Sequence, residues 1–455
     1  MKRFSFLTPL FLAVVMFLAA CTPNIPDASE TPQEPAAQEQ DAPATEEPDA
    51  PVAQDTDAGA EPITIEFWIA DAGQRDEWEE MIERYMEQNP HVTVNSVPLP
   101  WADAMTRLQT AAATGTLPDA SSTITEFTVP LNTMGAIAPL QSFFEDFSDR
   151  DYIADVYIQQ ITDSGDGDLI FLPTFASANF IWYRTDWFEE AGIPSPETFD
   201  DFFYAVEALT GDGRYGFGFR GGPGNFWPAV PFIMNYADSL YQFDDDGVSI
   251  FRSDIALEGF ERFMSIPANG WSPADAINHS FPEMAADFGN GVSAMFIHHL
   301  GSRPLIMETL TEDQFGVLPL PVNSNGNRRV AIGPHGVQMF SNASNQQETF
   351  DFISFFLLPE QQHTIALHWG GIPANANTIT EGIPFLDDAI AMVNDPRTSA
   401  LREPLHIPEY SIYGEQHKFP DIQSIMLGET TPEEVLLKWA EDIEEMNRQH
   451  IALEE

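Results

Sequence analysis

Several stretches of this chain carry residue types at spacings that could do chemistry. Gly216-x-Gly218-x-x-Gly221 has the glycine spacing of a dinucleotide-binding turn, which cradles a pyrophosphate at a helix N-terminus. That use needs a helix straight after the glycines, and Gly222-Pro223-Gly224 stands there instead. The run reads as a strand leading into a loop. Asp244-Asp245-Asp246-Gly247 offers carboxylates to a calcium ion, yet the spacing and distal Glu of a calcium loop are missing. A hairpin turn of the Asp-Gly type fits it, and Asp163-Ser-Gly-Asp-Gly-Asp168 is read in the same way. His298 and His299 are neighbours on an expected strand, so at most one easily faces a ligand. His363 and His368 lack the spacing of a helical metal pair, and no His-Glu-x-x-His occurs. No Gly-x-Ser-x-Gly elbow, phosphate-cradling loop or cysteine nucleophile is present. Neither a metal nor a cofactor is expected. Arg220, Asn225 and Trp227 flank a low-bulk run, Gly221 to Gly224, where a ligand could approach the backbone closely.

Composition narrows the partners. With 19 Lys and Arg against 71 Asp and Glu, the formal net charge is −52. A field of that sign repels nucleic acid and anionic lipid, so neither is a general partner. The only lysines are Lys2, Lys418 and Lys438. An acidic, lysine-poor chain resembles exported proteins of salt-loving or alkaline-living microbes, where salt screens self-repulsion.

The N-terminus reads as an export signal. Lys2 and Arg3 precede an apolar run from Phe4 to Ala20, closed by Leu18-Ala19-Ala20-Cys21. The run is near the lower length for a membrane span, but the Leu-Ala-Ala-Cys end resembles a bacterial lipobox. Residues 1–20 are therefore expected to be a signal peptide and Cys21 the lipidated N-terminus. Cys21 is the only cysteine, which excludes an internal disulfide by arithmetic. Residues 22–62 contain no Lys, Arg or aromatic, and cannot bury enough apolar surface to offset ordering their backbone. The expectation is an acidic tether between anchor and folded part, on the outer side of the cell membrane.

From Ile63 onward the periodicity is that of an α/β protein, and the length suggests two lobes rather than one core. Ile63 to Ile69 alternates as a strand, and Asp76 to Gln88 stripes a helix with Trp78, Met81, Ile82, Tyr85 and Met86. A strand over 92–97 and a helix closing near Gly115 follow. Strand–helix–strand–helix order predicts sheets flanked by helices. Asp186 opens a short helix ending at Gly192, and Thr198 with Asp201 opens another. Thr431-Pro432-Glu433-Glu434 starts the last helix, whose stripe is Val435, Leu436, Trp439, Ile443 and Met446.

The motifs of this frame, taken in order, resemble the family 1 extracellular solute-binding proteins, the sugar-type receptors of ABC importers. Leu172-Pro173 followed by Tyr183, Asp186, Phe188 and Gly192 is similar to the family's central Leu-Pro and Tyr-x-x-Asp-x-Phe-x-x-x-Gly run. Arg184 stands where an Asn is frequent. Gly115-Thr-Leu-Pro-Asp119, Gly291-Val-Ser-Ala-Met295 and Trp369-Gly-Gly-Ile-Pro373 match further family turns and strands. The resemblance implies a two-lobed periplasmic-binding-protein-like type II fold, each lobe a mixed, mainly parallel sheet flanked by helices. Lobe one would take residues 63–175 plus 334–377 and lobe two 176–333 plus 378–455. Hinge crossings would lie near 174–179, 330–336 and 374–380.

It also implies capture of a sugar without reaction, and delivery to permease subunits by a monomeric receptor. A sugar offers an apolar C–H face to an aromatic ring and an edge of hydroxyls to polar side chains. Places where the family contacts ligand correspond to Trp68, Asp71, Glu126 and Phe127 in lobe one, and to Arg220, Asn225, Trp227 and His299 in lobe two. Ser177, Asn179 and Trp369 correspond at the crossings. For each Trp a core position is the competing expectation. A glycoside-processing carboxylate pair is the alternative reading, though so many acidic residues leave no basis for choosing two. A receptor for another small solute also stays open.

Overall fold

In the computed structural model the chain is described at residues 61–405, 407 and 409–454. The expected signal peptide, Cys21 and nearly all of the expected tether lie outside the described residues. The eleven strands are β1 Ile63–Ile69, β2 Val92–Pro98, β3 Ala120–Ile124, β4 Leu172–Ala178, β5 Phe180–Tyr183, β6 Met295–His298, β7 Gly316–Leu318, β8 Arg328–Val330, β9 Ile332–Met339, β10 Ile372–Pro373 and β11 Thr398–Ala400. Six of them form one sheet in the order β10-β4-β9-β3-β1-β2. A second sheet has the order β6-β5-β7, and β11 pairs with β8 in a short ribbon. The two main sheets organise the two lobes of a type II binding-protein fold.

The sheets are mixed, but their parallel share is smaller than expected. Only β1–β2 and β1–β3 run parallel in the six-stranded sheet, while β3–β9, β4–β9 and β10–β4 are antiparallel. In the second sheet β5 is antiparallel to both neighbours. The strand–helix–strand start does produce parallel pairing. Strand direction reverses where the chain returns from the other sheet, which hydrophobic periodicity does not report. The sheet changes at a single residue: β4 ends at Ala178, β5 begins at Phe180, and Asn179 lies between them.

Local chemistry sets the helix ends. Gly115 and Gly192 stop the helices Trp101–Thr114 and Thr185–Ala191 in the left-handed conformation. Thr198 Oγ1 accepts from the Asp201 backbone N–H while the Asp201 carboxylate accepts from Thr198 N–H, a reciprocal cap for Phe199–Ala208. Thr431 and Glu434 make the same exchange at the helix Pro432–Glu454. The run Asp244 to Gly247 is a turn closed by Gly247 N–H donating to Asp244 O, inside the antiparallel bridge Phe243–Ser249. Asp163 to Asp168 is different: it finishes the helix Asp155–Ser164, because Gly167 N–H donates back to Thr162 O.

The interior is aromatic, as 35 phenylalanines require. Under the first sheet Phe67 meets Phe352 edge-on at 5.2 Å and Trp78 meets Phe356 at 4.7 Å. Under the second, Trp182 packs on Phe296, Phe315 and Phe385. Such pairs add about 0.5–1.5 kcal/mol each beyond burial of their area. β4 and β9 present Phe175, Ser177, Gly333 and His335 to the space between the lobes.

Candidate functional site

That space is a cleft of ≈ 1850 Å³ lined by residues from both main sheets, their helices and the strand crossings. Eight of the eleven expected contact residues line it: Asp71, Glu126, Ser177, Asn179, Arg220, Trp227, His299 and Trp369. The structure places the other three elsewhere. Trp68 lies on β1 and packs partly buried against the core rather than on the cleft wall. Phe127 is buried with its ring 4.9 Å from Trp101, and Trp101 takes the exposed, cleft-lining place. Asn225 is buried, and its amide nitrogen donates to Gly221 O and Phe419 O. All three lie within three positions of a lining residue, and side-chain direction separates them from it.

Asp71 reaches the cleft because β1 ends at Ile69 and the chain turns into a short 3₁₀ segment capped by Asp71 Oδ1 accepting from Gly73 N–H. Burial raises its carboxyl despite that bond. The glycine run holds Arg220 rather than a ligand ring. Gly221 lies so close to the 276–277 backbone that a Cβ there would sit 2.6 Å from Ala276 O. Gly224, at φ +76°, has the Arg220 guanidinium where its Cβ would be, 2.2 Å from Nη2. Arg220 Nε donates to Pro223 O, and burial pulls the guanidinium down to about 10. The segment 215–222 is stitched by single hydrogen bonds to Trp271, Met295 and Ala276 instead of forming the expected strand. The helix Phe226–Tyr236 starts only after Gly224 and Asn225.

The two adjacent histidines both face the cleft, contrary to the expectation for a continuous strand. β6 stops at His298, and His299 caps a 3₁₀ turn, so the alternation of faces ends between them. Their rings lie 4.1 Å apart, and His298 also stacks on Phe281 at 4.2 Å. Gly301 N–H donates to His299 Nδ1 at 3.0 Å, which puts the neutral ring's proton on Nε2. Burial, then the Arg220 charge, pulls His299 down to about 4; burial, then His299 and Arg220, holds His298 well below the usual range. His335 joins them from β9, pulled down to about 3 by burial and then by His299. Its Nε2 lies 3.1 Å from Ser177 Oγ. The cleft therefore holds three neutral imidazoles near neutral pH.

A second polar group also lines the cleft, and of its members the sequence reading named only Glu126 as a contact. Glu126 follows β3 at the start of the helix Thr125–Thr133, and Glu403 follows β11; both line the cleft. Burial, reinforced by Glu126 and opposed by Lys418, pushes Glu403 up to about 8. Lys418 is buried behind it, brought down to about 7 by desolvation against the opposing charge of Glu403. Lys418 Nζ donates to Tyr410 Oη at 3.0 Å and sits 4.2 Å over the Tyr410 ring. A void of ≈ 20 Å³, room for about one water, separates Trp227, Glu403, Tyr410 and Lys418. Lys418 ends a π-helical stretch, Gly414–Lys418. A signal was available: Lys418 is one of only two lysines beyond the N-terminal stretch, in a chain that otherwise avoids lysine.

Three aromatic surfaces, Trp101, Trp227 and Trp369, thus border a wide, polar-rimmed cleft. Trp369 is only 8% exposed and leans on Trp78 at 5.4 Å, so it is both core and wall. Among solved structures, the chain is similar to an ABC substrate-binding protein from Listeria monocytogenes in complex with cycloalternan. The TM-score is 0.73 at 18% identity, covering 85% of this chain and 99% of that one. A maltose-bound protein of T. maritima gives 0.72 at 18%, covering 84% and 99%. A binding protein of Brucella abortus (strain 2308) is 24% identical over 331 residues, 70% of this chain and 77% of that protein. The family profile of bacterial extracellular solute-binding proteins matches residues 71–363. By that match and by its two-lobed fold, the chain belongs to the bacterial extracellular solute-binding proteins.

Proposed function

We propose that this protein is the carbohydrate receptor of an ABC importer, holding an oligosaccharide between its lobes and handing it to the permease without chemical change. The observation that carries the reading is the cleft itself: ≈ 1850 Å³, bordered by Trp101, Trp227 and Trp369 and rimmed by Asp71, Asn179 and Arg220. That volume is above the roughly 300–1,000 Å³ of a drug-sized pocket, and suits a ligand of several rings. Flat indole faces suit sugar C–H faces, and the rim suits hydroxyls. The solved structures of similar fold that hold cycloalternan and maltose support the same class.

In this reading Asp71, Glu126, Ser177, Asn179, Arg220, Trp227, His299 and Trp369 touch the ligand, with Trp101 added. Lobe one takes residues 63–175 and 334–377, lobe two the remainder. The receptor acts as a monomer, tethered outside the cell by lipid on Cys21. A thermal-shift screen of oligosaccharides at several salt concentrations tests it. A saturable rise in melting temperature, with no new reducing ends on prolonged incubation, is expected. Release of reducing ends, or no stabilisation by any saccharide, would remove the assignment.

A further inference from the structure

One end of the cleft collects hydrogen-bond acceptors that meet no donor. Glu126, among the described residues, reaches only its own backbone N–H, and Glu403 accepts no hydrogen bond and forms no ion pair. Gln242 lines the same space and is 2% exposed. Its Nε2 donates to Tyr410 Oη, while its Oε1 is buried with no partner. A buried acceptor left bare is a cost that native structures rarely carry without a ligand or water to relieve it. Lys418 does not relieve it, because its Nζ donates to Tyr410 Oη and lies over the Tyr410 ring.

We propose that this end of the cleft is a subsite for an ammonium group, so that the preferred ligand is an amino sugar, or an oligomer of amino sugars, with free amines. The inference rests on the carbohydrate reading above and narrows it. An ammonium carries three N–H donors and one positive charge, matching two carboxylates and an amide oxygen in number and sign. A neutral hydroxyl supplies a single donor and brings lone pairs of its own, leaving acceptors unpaired. Two carboxyl groups in one low-dielectric space resist ionising together. Accordingly Glu126 is raised by burial, and Glu403 by burial and then by Glu126, with Tyr241, Arg402, Tyr410 and Lys418 among the titratable and charged groups around them. A bound ammonium lets both carboxyls ionise, so binding releases protons. The net charge of −52 also draws cations toward the cleft.

Calorimetric titration of the full chain near neutral pH, at about 1 M salt where the screening length is about 3 Å, separates this subsite from non-specific attraction. The probes are a glucosamine trimer with free amines, its N-acetylated counterpart and a neutral glucose trimer. The free-amine trimer should bind at least about tenfold tighter than either, about 1.4 kcal/mol, with proton release seen as a dependence of the heat on buffer ionisation. Glu403→Gln should bring the ratio of the two affinities toward one, and Glu126→Gln provides a second route to the same collapse. If the neutral trimers bind as well as the amine, the subsite is wrong while the carbohydrate reading stands. If no trimer or longer saccharide binds, both fall. Stabilisation by calcium ion alone, lost in Glu403→Gln, would assign the carboxylates to a metal and overturn the proposal.

Discussion

His335 lies face to face with Phe175, ring centroids 4.4 Å apart and planes 18° from parallel. The two are direct cross-strand partners in the antiparallel register of β4 and β9. With His335 Nε2 at Ser177 Oγ, the pair ties together the two strands that lead toward the other lobe. Burial, then the neighbouring His299, keeps the His335 ring neutral in that position.

Acid should therefore loosen the protein through its cleft histidines. The folded values of about 3 for His335 and about 4 for His299 lie below the roughly 6.5 of an unfolded histidine. Between those limits the unfolded chain takes up protons that the folded one refuses, so stability is whole above about pH 6.5 and falls as pH drops. Each such histidine contributes at most about 1.4 kcal/mol per pH unit. The raised carboxyls act with the opposite sign, so the comparison is with His335→Gln: denaturant unfolding between pH 6.5 and 4.5 should show a shallower loss in the variant. Equal slopes would mean that His335 titrates normally.

Gly224→Ala should displace Arg220. The new Cβ would sit 2.2 Å from Arg220 Nη2, at φ +76° where a side chain is strained. A loss of about 1–2 kcal/mol is expected from the backbone alone. Because Arg220 also depresses His298 and His299, their titration should move upward as its charge withdraws. Melting curves with histidine NMR check both; no change in either would show that Arg220 does not depend on Gly224.

Trp227→Ala now carries a mixed expectation. Trp227 lines the cleft, is partly buried, and lies 5.2 Å from Phe226. Ligand affinity should fall by roughly 1–3 kcal/mol if a ring stacks on it, by analogy with base–aromatic stacking. The apo protein should lose less than the roughly 3–5 kcal/mol of a fully buried aromatic. Apo melting temperature and affinity, measured on the one variant, separate the wall from the core. Unchanged affinity would take Trp227 out of the site.

Ligand should draw the lobes together about the crossings, one of which is as narrow as Asn179 between β4 and β5. The radius of gyration by small-angle scattering should fall on saturation with any saccharide that raises the melting temperature. A constant radius with a proven binder would exclude closure.

Cys21→Ser should leave the precursor uncleaved or release it from the membrane fraction, since stable anchoring needs more than one acyl chain. Mature, membrane-attached variant in a fractionation would refute lipidation at that residue.

Much of the fold was legible because it is written in local chemistry. Gly115 and Gly192 stop helices through their left-handed conformation, and Thr198 with Asp201 and Thr431 with Glu434 cap them through neighbours three residues apart. The site was legible only as positions along the chain. Trp68, Phe127 and Asn225 sit beside lining residues but turn inward, and that turn depends on which face the rest of the fold covers. Gln242, Glu403 and Lys418 went unread because they meet only in space, across more than a third of the sequence. The strand alternation applied to His298 and His299 failed where the strand itself ended.

The pairing of β3 with β9 bears on how the molecule comes to exist at all. Ser121 and Gln338 are joined side chain to side chain at 2.9 Å although 217 residues separate them. β9 also completes the bed on which β4 lies. The first sheet is thus left with a gap at its centre until residue 339 is available. Non-local closure of this kind slows folding. On the proposed reading of residues 1–20 as an export signal, that delay would be an advantage: the fold that would block passage cannot close before most of the polypeptide is through.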